Sequence, residues 1–209
     1  MKVKVCGLTD GENIRAIELA GADWFGFIFH PASPRYVEKV PQYLPERGMR
    51  VGVFVKPTLN NVLQRIDQFG LHAVQLYDVP PNFCSTLKKR GVCVIRALPA
   101  CSSLDEVAAP FLDVVDYLLF DTPSAQHGGT GKSYQWDWLD SYTGHTPFVL
   151  SGGIEPASAE RIRALRHPSL AAVDINSRFE TSPGMKDVRA VEAFIKMLKQ
   201  NEITSKQNK

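Results

Sequence analysis

The stretch "VKVCGLTDGENIRAIELAGADWFGFIF" (3–29) reads as a strand, a helix and a second strand. Its first run, "VKVC" (3–6), alternates, so Val3 and Val5 share one face while Lys4 and Cys6 share the other. "NIRAIELAG" (13–21) has apolar residues at helical spacing, and "WFGFIF" (24–29) is a fresh β-branched and aromatic run. The same unit recurs along the chain. Further strands are expected at "RVGVFV" (50–55), "HAVQLY" (72–77), "VCVIR" (92–96), "VVDYLLF" (114–120), "PFVL" (147–150) and "LAAVDI" (170–175), with amphipathic stretches at 59–70, 158–166 and 188–199. Strand starts fall about 20 to 30 residues apart, the length of one βα unit, and each strand is expected to be followed by a helix. Eight units predict an α/β fold of the (β/α)8 TIM-barrel type, a single domain over residues 1–200. The polar "NEITSKQNK" (201–209) is expected to form a disordered tail. An open doubly wound sheet is the rival, but the first strand is not followed by a GxGxxG turn.

Composition narrows the function classes. Of 209 residues, 24 are Lys or Arg and 22 Asp or Glu, a formal charge of +2 with no basic block, so no nucleic-acid partner is expected. The N-terminus lacks a signal-like apolar region and no stretch reaches the ~18 apolar residues of a membrane span, which points to a cytoplasmic protein without a membrane partner. The cysteines Cys6, Cys84, Cys93 and Cys101 show no CxxC pair or zinc-like spacing, so reduced thiols are expected and no metal.

In a barrel the site lies at the C-terminal ends of the strands. Cys6 ends the first strand and is directed inward, open to two readings, a small buried hydrophobe or a reactive thiol with Lys4 beneath it. Asp121 follows the apolar "LLF" of the sixth strand, where desolvation raises a carboxyl pKa, although a cap is the plainer use of an Asp there. The loop beyond it contains "GTGKS" (129–133), but a phosphate-binding P-loop requires glycine at Gln126. Gly128, Gly129 and Gly131 make that loop either a lid or a plain linker. Gly152 and Gly153 after the seventh strand, with Asn176 and Ser177 after the eighth, fit a phosphate cradle. Arg35, presented by "FHPASPRYV" (29–37), offers a fork to a carboxylate or phosphate, or is simply a solvated surface residue.

Taken in order, "KVCGLT" (4–9), "SPRYV" (33–37), "GVFV" (52–55), "FDT" (120–122), "GGTGKSYQW" (128–136), "LSGGI" (150–154) and "VDINSRFETSPGMKD" (173–187) resemble the phosphoribosylanthranilate isomerase family of tryptophan biosynthesis. The resemblance implies an Amadori rearrangement of N-(5-phosphoribosyl)anthranilate to 1-(o-carboxyphenylamino)-1-deoxyribulose 5-phosphate, without cofactor or metal. By that resemblance Asp121 is the general acid, Cys6 the general base, Arg35 the contact to the anthranilate carboxylate and Asp174 the partner of a ribose hydroxyl. Gly152, Gly153, Asn176 and Ser177 correspond to the phosphate cradle. The implied partner is a small phosphoribosyl compound, and the chain is expected to be a monomer or homodimer.

These roles reverse intrinsic acidity. Reference pKa values of ~3.9 for Asp and ~8.5 for Cys suggest Asp as base, so the family's assignment needs the carboxyl raised by its apolar strand end and the thiol lowered by nearby cations. Two positions depart from the family pattern: "QLYD" (75–78) has Tyr77 where the family commonly has histidine, and "SRFE" (177–180) has Arg178 where it has glycine. The alternatives are another phosphate-binding barrel isomerase of phosphoribosyl compounds, such as one using paired aspartates, or a catalytically silent sugar-phosphate-binding barrel.

Overall fold

The computed structural model describes residues 1–122 and 136–204, with side chains described as far as residue 200. Eight parallel strands, β1 (Lys2–Cys6), β2 (Trp24–Ile28), β3 (Met49–Val55), β4 (Ala73–Tyr77), β5 (Cys93–Pro99), β6 (Tyr117–Asp121), β7 (Phe148–Ser151) and β8 (Leu170–Ile175), close in sequential order into a barrel. β1 closes it by pairing with β8, in a register that sets Lys4 beside Asp174. Strand alternation divides the core in two. Trp24, Val51, Ala73, Ile95, Leu119, Val149 and Ala172 fill the barrel interior. The intervening residues, among them Val3, Val5, Phe25, Phe27, Val74, Leu118, Phe120 and Val173, pack outward with the helices.

Those helices are α1 (Gly11–Leu19), α2 (Leu59–Phe69), α3 (Pro81–Lys88), α4 (Leu104–Ala108), α5 (Ala159–Ala164) and α6 (Val188–Thr204). Asp10 caps α1, its side chain accepting from the Asn13 amide at 2.9 Å, and Gly70 ends α2 in the left-handed conformation at φ 54°.

Two connections differ from the expected rhythm. No helix follows β2: residues 29–48 hold Pro31, Pro34, Pro41 and Pro45, each lacking the N–H that a helix interior requires. The gap in the helical layer is filled instead by Phe29, whose ring lies 5.1 Å from that of Phe54 and 4.8 Å from that of Phe69. After β6, where the rhythm calls for a helix, the described part of the connection, from Trp136 to β7, holds a 3-10 turn over Asp137–Ser141. β6 itself begins at Tyr117 rather than Val114, because the Val114 amide bonds back to Phe111 in a turn. The last helix runs to Thr204, past the expected boundary at 200. The glycines at 128, 129 and 131 and the "GTGKS" string lie outside the described residues.

A hairpin of β9 (Glu180–Ser182) and β10 (Met185–Lys186) interrupts the chain between β8 and α6. Thr9 Oγ1 donates to the Gly184 carbonyl at 3.1 Å and Asn13 holds the Lys186 backbone through two bonds, which tie this hairpin to the loop after β1 and to the first turn of α1. No helix among the described residues is long and apolar enough to cross a membrane.

Candidate active site

At the C-terminal ends of the strands the barrel opens into a cavity of about 800 Å³. Cys6 (β1), Gln75 and Tyr77 (β4), Asp121 (β6), Ser151 (β7) and Asp174 (β8) line it, each at an inward position of its strand, and Gly152, Gly153, Asn176, Ser177 and Arg178 line it from the loops after β7 and β8. Arg35 is not among the lining residues. It lies beside Gly7, where an added Cβ would come within 2.5 Å of Arg35 Cδ.

Lys4, one layer below Cys6, is fully buried, and both Asp174 oxygens lie 3.0 Å from its Nζ. Burial alone would push the lysine pKa down, but the adjacent carboxylate outweighs it and holds the ammonium above its ordinary range. Ser151 also hydrogen-bonds to this carboxylate, and the lone pair that remains is open to a ligand. Breaking a buried pair leaves its partner charged and uncompensated, which costs about 3–5 kcal/mol. Lys4→Met should therefore lose stability of about that size in denaturant titrations, and the double variant with Asp174→Leu should recover most of it. A loss under about 1 kcal/mol in the single variant would show that the pair is not what holds this layer.

Cys6 is only 4 % exposed. It fits because Gly26 stands opposite on β2; an added Cβ there would lie 2.7 Å from the sulfur. The expected lowering of its pKa is not found. Burial raises it, Asp174 adds to the rise, and the attraction of Lys4 and Lys186 is too small to reverse it. The cations are present, but Lys4 is already neutralised by Asp174.

Asp121 is shifted in the expected direction. Burial in the strand end is the largest cause, the Asp174 charge adds to it, and hydrogen bonds from Tyr77 and Ser151 and the Lys4 charge work against it. The site thus holds a thiol and a carboxyl both displaced toward their neutral forms.

Gly152 has φ 88°, and a Cβ there would lie 2.5 Å from the Thr122 carbonyl oxygen, so only glycine lets the β7 loop pack on the end of β6. Asn176 Oδ1 accepts from Lys186 Nζ at 2.7 Å. An ammonium only donates, so this bond fixes the amide and leaves the Asn176 NH2 as the outward donor. Lys186 also meets Glu180 at 2.6 Å, and Glu180 receives Arg35 through Nε at 2.9 Å and Nη2 at 2.6 Å, as well as the Gly184 amide at 3.2 Å. Burial raises the Glu180 pKa, but the two cations outweigh it and hold the carboxylate below its ordinary range. Arg35 is therefore a paired residue rather than a solvated one.

Sequence reasoning missed four groups here. Gln75 and Ser151 are legible from alternation once the strand ends are known. Glu180 and Lys186 lie within the quoted "VDINSRFETSPGMKD", yet the Arg35–Glu180 contact spans 145 residues and leaves no local pattern.

An eight-stranded barrel with a desolvated acid and a thiol in one cavity, rimmed by a glycine turn and an Asn-Ser loop, is the layout of a barrel enzyme that moves protons on a small anionic ligand. The sequence profile of the family described as N-(5'phosphoribosyl)anthranilate (PRA) isomerase matches residues 3–197. The chain belongs to that family and is an isomerase of tryptophan biosynthesis. It is 47 % identical to N-(5'-phosphoribosyl)anthranilate isomerase of Phocaeicola vulgatus, over 96 % of this chain and 98 % of the relative. Among solved structures it resembles phosphoribosyl anthranilate isomerase in complex with reduced 1-(o-carboxyphenylamino)-1-deoxyribulose 5-phosphate, with TM-score 0.76, 31 % identity, and 96 % and 99 % of the two chains covered. It also resembles monomers generated from the dimeric phosphoribosylanthranilate isomerase of Thermotoga maritima, with TM-score 0.76, 30 % identity, and 96 % and 99 % covered.

Proposed function

We propose that Cys6 and Asp121 carry the isomerisation of N-(5'-phosphoribosyl)anthranilate as base and acid on opposite sides of the bound sugar. The observation that carries this reading is their placement: they reach one cavity from β1 and β6, three strands apart round the barrel, with the glycine turn after β7 and the Asn-Ser loop after β8 between them. Asp121 gives its proton to the ribose ring oxygen. The C1–O bond breaks as the nitrogen lone pair forms a protonated Schiff base, and Asp121 is left as a carboxylate. The new positive charge acidifies the C2 proton and favours ionisation of Cys6, whose own proton leaves to solvent through the open cavity, and the resulting thiolate takes the C2 proton. The electron pair becomes the C1=C2 bond of an enolamine, and gain of a proton at C1 with loss of the one on O2 gives the ketone. Each step is a proton transfer, and no cofactor or metal is called for.

The ligand's charge onset at C1 answers the raised thiol pKa of the free site. A buried thiol is hard to ionise beside a neutral sugar and easier beside a cation. Asp174, held by Lys4, accepts a ribose hydroxyl. Gly152 and Gly153 with the donors of Asn176 and Ser177 take the phosphate, and Arg178 at the rim adds a cation to it.

Arg35 has two usable edges. Glu180 takes the Nε/Nη2 edge, and Nη1 has no part in that pairing, so the guanidinium is fixed for a carboxylate at its far end. The test is consumption of phosphoribosylanthranilate, followed by fluorescence, with the purified chain and its Arg35→Ala variant. The chain should turn over. Loss of a hydrogen bond to a charged group is worth about 1.5–3 kcal/mol, so KM should rise roughly 10- to 100-fold with kcat nearly kept. An unchanged KM would leave Arg35 as a structural partner of Glu180 only, and no turnover by folded protein would overturn the reading as a whole. The enzyme works in the cytoplasm on a small phosphoribosyl compound, as a monomer or homodimer.

A further inference from the structure

Tyr77 ends β4 at the cavity, and none of the roles above uses it. Its Oη lies 3.1 Å from Asp121 Oδ2 and 3.2 Å from Gln75 Nε2. Gln75 and Tyr77 are two apart on one strand and share its inward face. Chemistry sets the direction of both bonds: an amide NH2 only donates, so the phenol oxygen accepts from Gln75 and turns its own hydrogen to Asp121. Gln75 Oε1 is buried without a hydrogen-bond partner among the described residues. A buried amide left half satisfied is placed for the contact it does make, which is the one to Tyr77.

We infer that Tyr77, oriented by Gln75, is a positioning residue for Asp121: by donating to Oδ2 it places the transferable proton on Oδ1 and fixes the plane of the carboxyl. This rests on the acid role proposed for Asp121. When the proton passes from Oδ1 to the ring oxygen, Asp121 becomes a carboxylate, and a hydrogen bond to an ion is stronger than one to a neutral acid. The Tyr77 bond therefore tightens as the reaction proceeds, which is where an interaction must strengthen to accelerate it. Tyr77 itself stays neutral, because burial and the Asp121 charge keep its phenol well above the ordinary range. The other groups facing Asp121 are Asp174 on β8, Lys4 on β1 and the Ser151 hydroxyl on β7; β5 sets Pro99 beside it, which does not titrate.

Tyr77→Phe keeps the ring and removes the donor. A donor to the ionised form lowers a carboxyl pKa, so its loss should move the Asp121 midpoint upward by about one unit, read by carbon-13 titration of the aspartate carboxyls in ligand-free protein. In the same variant kcat should fall roughly tenfold with KM within about twofold. Gln75→Leu, which leaves the phenol in place, should move both readings the same way by less. A merely structural tyrosine would leave the Asp121 midpoint where it is. An unmoved midpoint in both variants, or a moved midpoint with unchanged kcat, overturns the inference. Asp121→Asn separates the two claims. If it retains turnover, the acid role falls. If it loses turnover while the Tyr77→Phe midpoint stays put, the acid role stands and the role of Tyr77 falls.

Discussion

Cys6→Ser is expected to lower kcat by at least about 10²-fold, the lower scale for a positioned base, with the fold retained. The substitution removes little volume, and a serine oxygen fits the space that Gly26 leaves opposite the sulfur. What changes is basicity. A hydroxyl beneath the same burial cannot be ionised by a neighbouring Schiff-base cation as a thiol can, because its intrinsic acidity is far lower. Burial also predicts how the wild-type thiol behaves without ligand. Its folded-state pKa lies above the ordinary thiol value, so ultraviolet thiolate absorbance in a background lacking Cys84, Cys93 and Cys101 should be absent at neutral pH and appear only as pH rises past the ordinary thiol range. Thiolate at neutral pH in the free enzyme would show that burial does not control this thiol, and near-normal turnover in Cys6→Ser would remove Cys6 from the base role.

Asp121→Asn should lower kcat by a similar factor, at least about 10²-fold, because the amide keeps an acceptor for Tyr77 and has no proton to give the ring oxygen. Two further readings separate loss of chemistry from loss of structure. The folded-state pKa of Asp121 is raised, so at neutral pH its ionisation works against folding, by an amount that grows as pH climbs from the unfolded carboxyl value through the folded one. Asparagine removes that contribution, and thermal melts at neutral pH should show a Tm no lower than wild type. With no carboxyl to be kept protonated, the residual kcat/KM should rise with pH as Cys6 ionises. A residual profile that falls across the alkaline range, or a kcat within about threefold of wild type, would mean that another group supplies the proton.

How far the site was legible depends on the range of the interaction. Cys6, Asp121 and Asp174 lie at strand ends, where a period of two assigns the inward face without knowledge of any neighbour. The glycine turn at 152 and 153 was readable because a positive φ demands glycine. The missing helix after β2 was readable in principle from its four prolines, but the strict βα rhythm overrode them. Arg35 shows the opposite case. Its residue type permits a ligand contact or solvation, and the choice made by the fold, a fork onto Glu180, depends on a hairpin that joins the chain 145 residues later.

The same division separates direction from magnitude in the site's electrostatics. For Asp121, the local run "LLFD" carries the dominant cause, so the upward shift follows from sequence. For Cys6 the local neighbour is a cation, and Lys4 alone suggests a lowered thiol pKa. Closure of the barrel sets Asp174 across from Lys4, neutralises the ammonium and leaves burial in control. Strand order, inward faces and the family were determined by the chain itself, because they rest on periodicity and short motifs. Which charges meet, which of them cancel and which donor holds Asp121 were decided only when β8 closed on β1 and β4 came near β6, since Coulomb and hydrogen-bond energies depend on distances that a linear sequence does not contain.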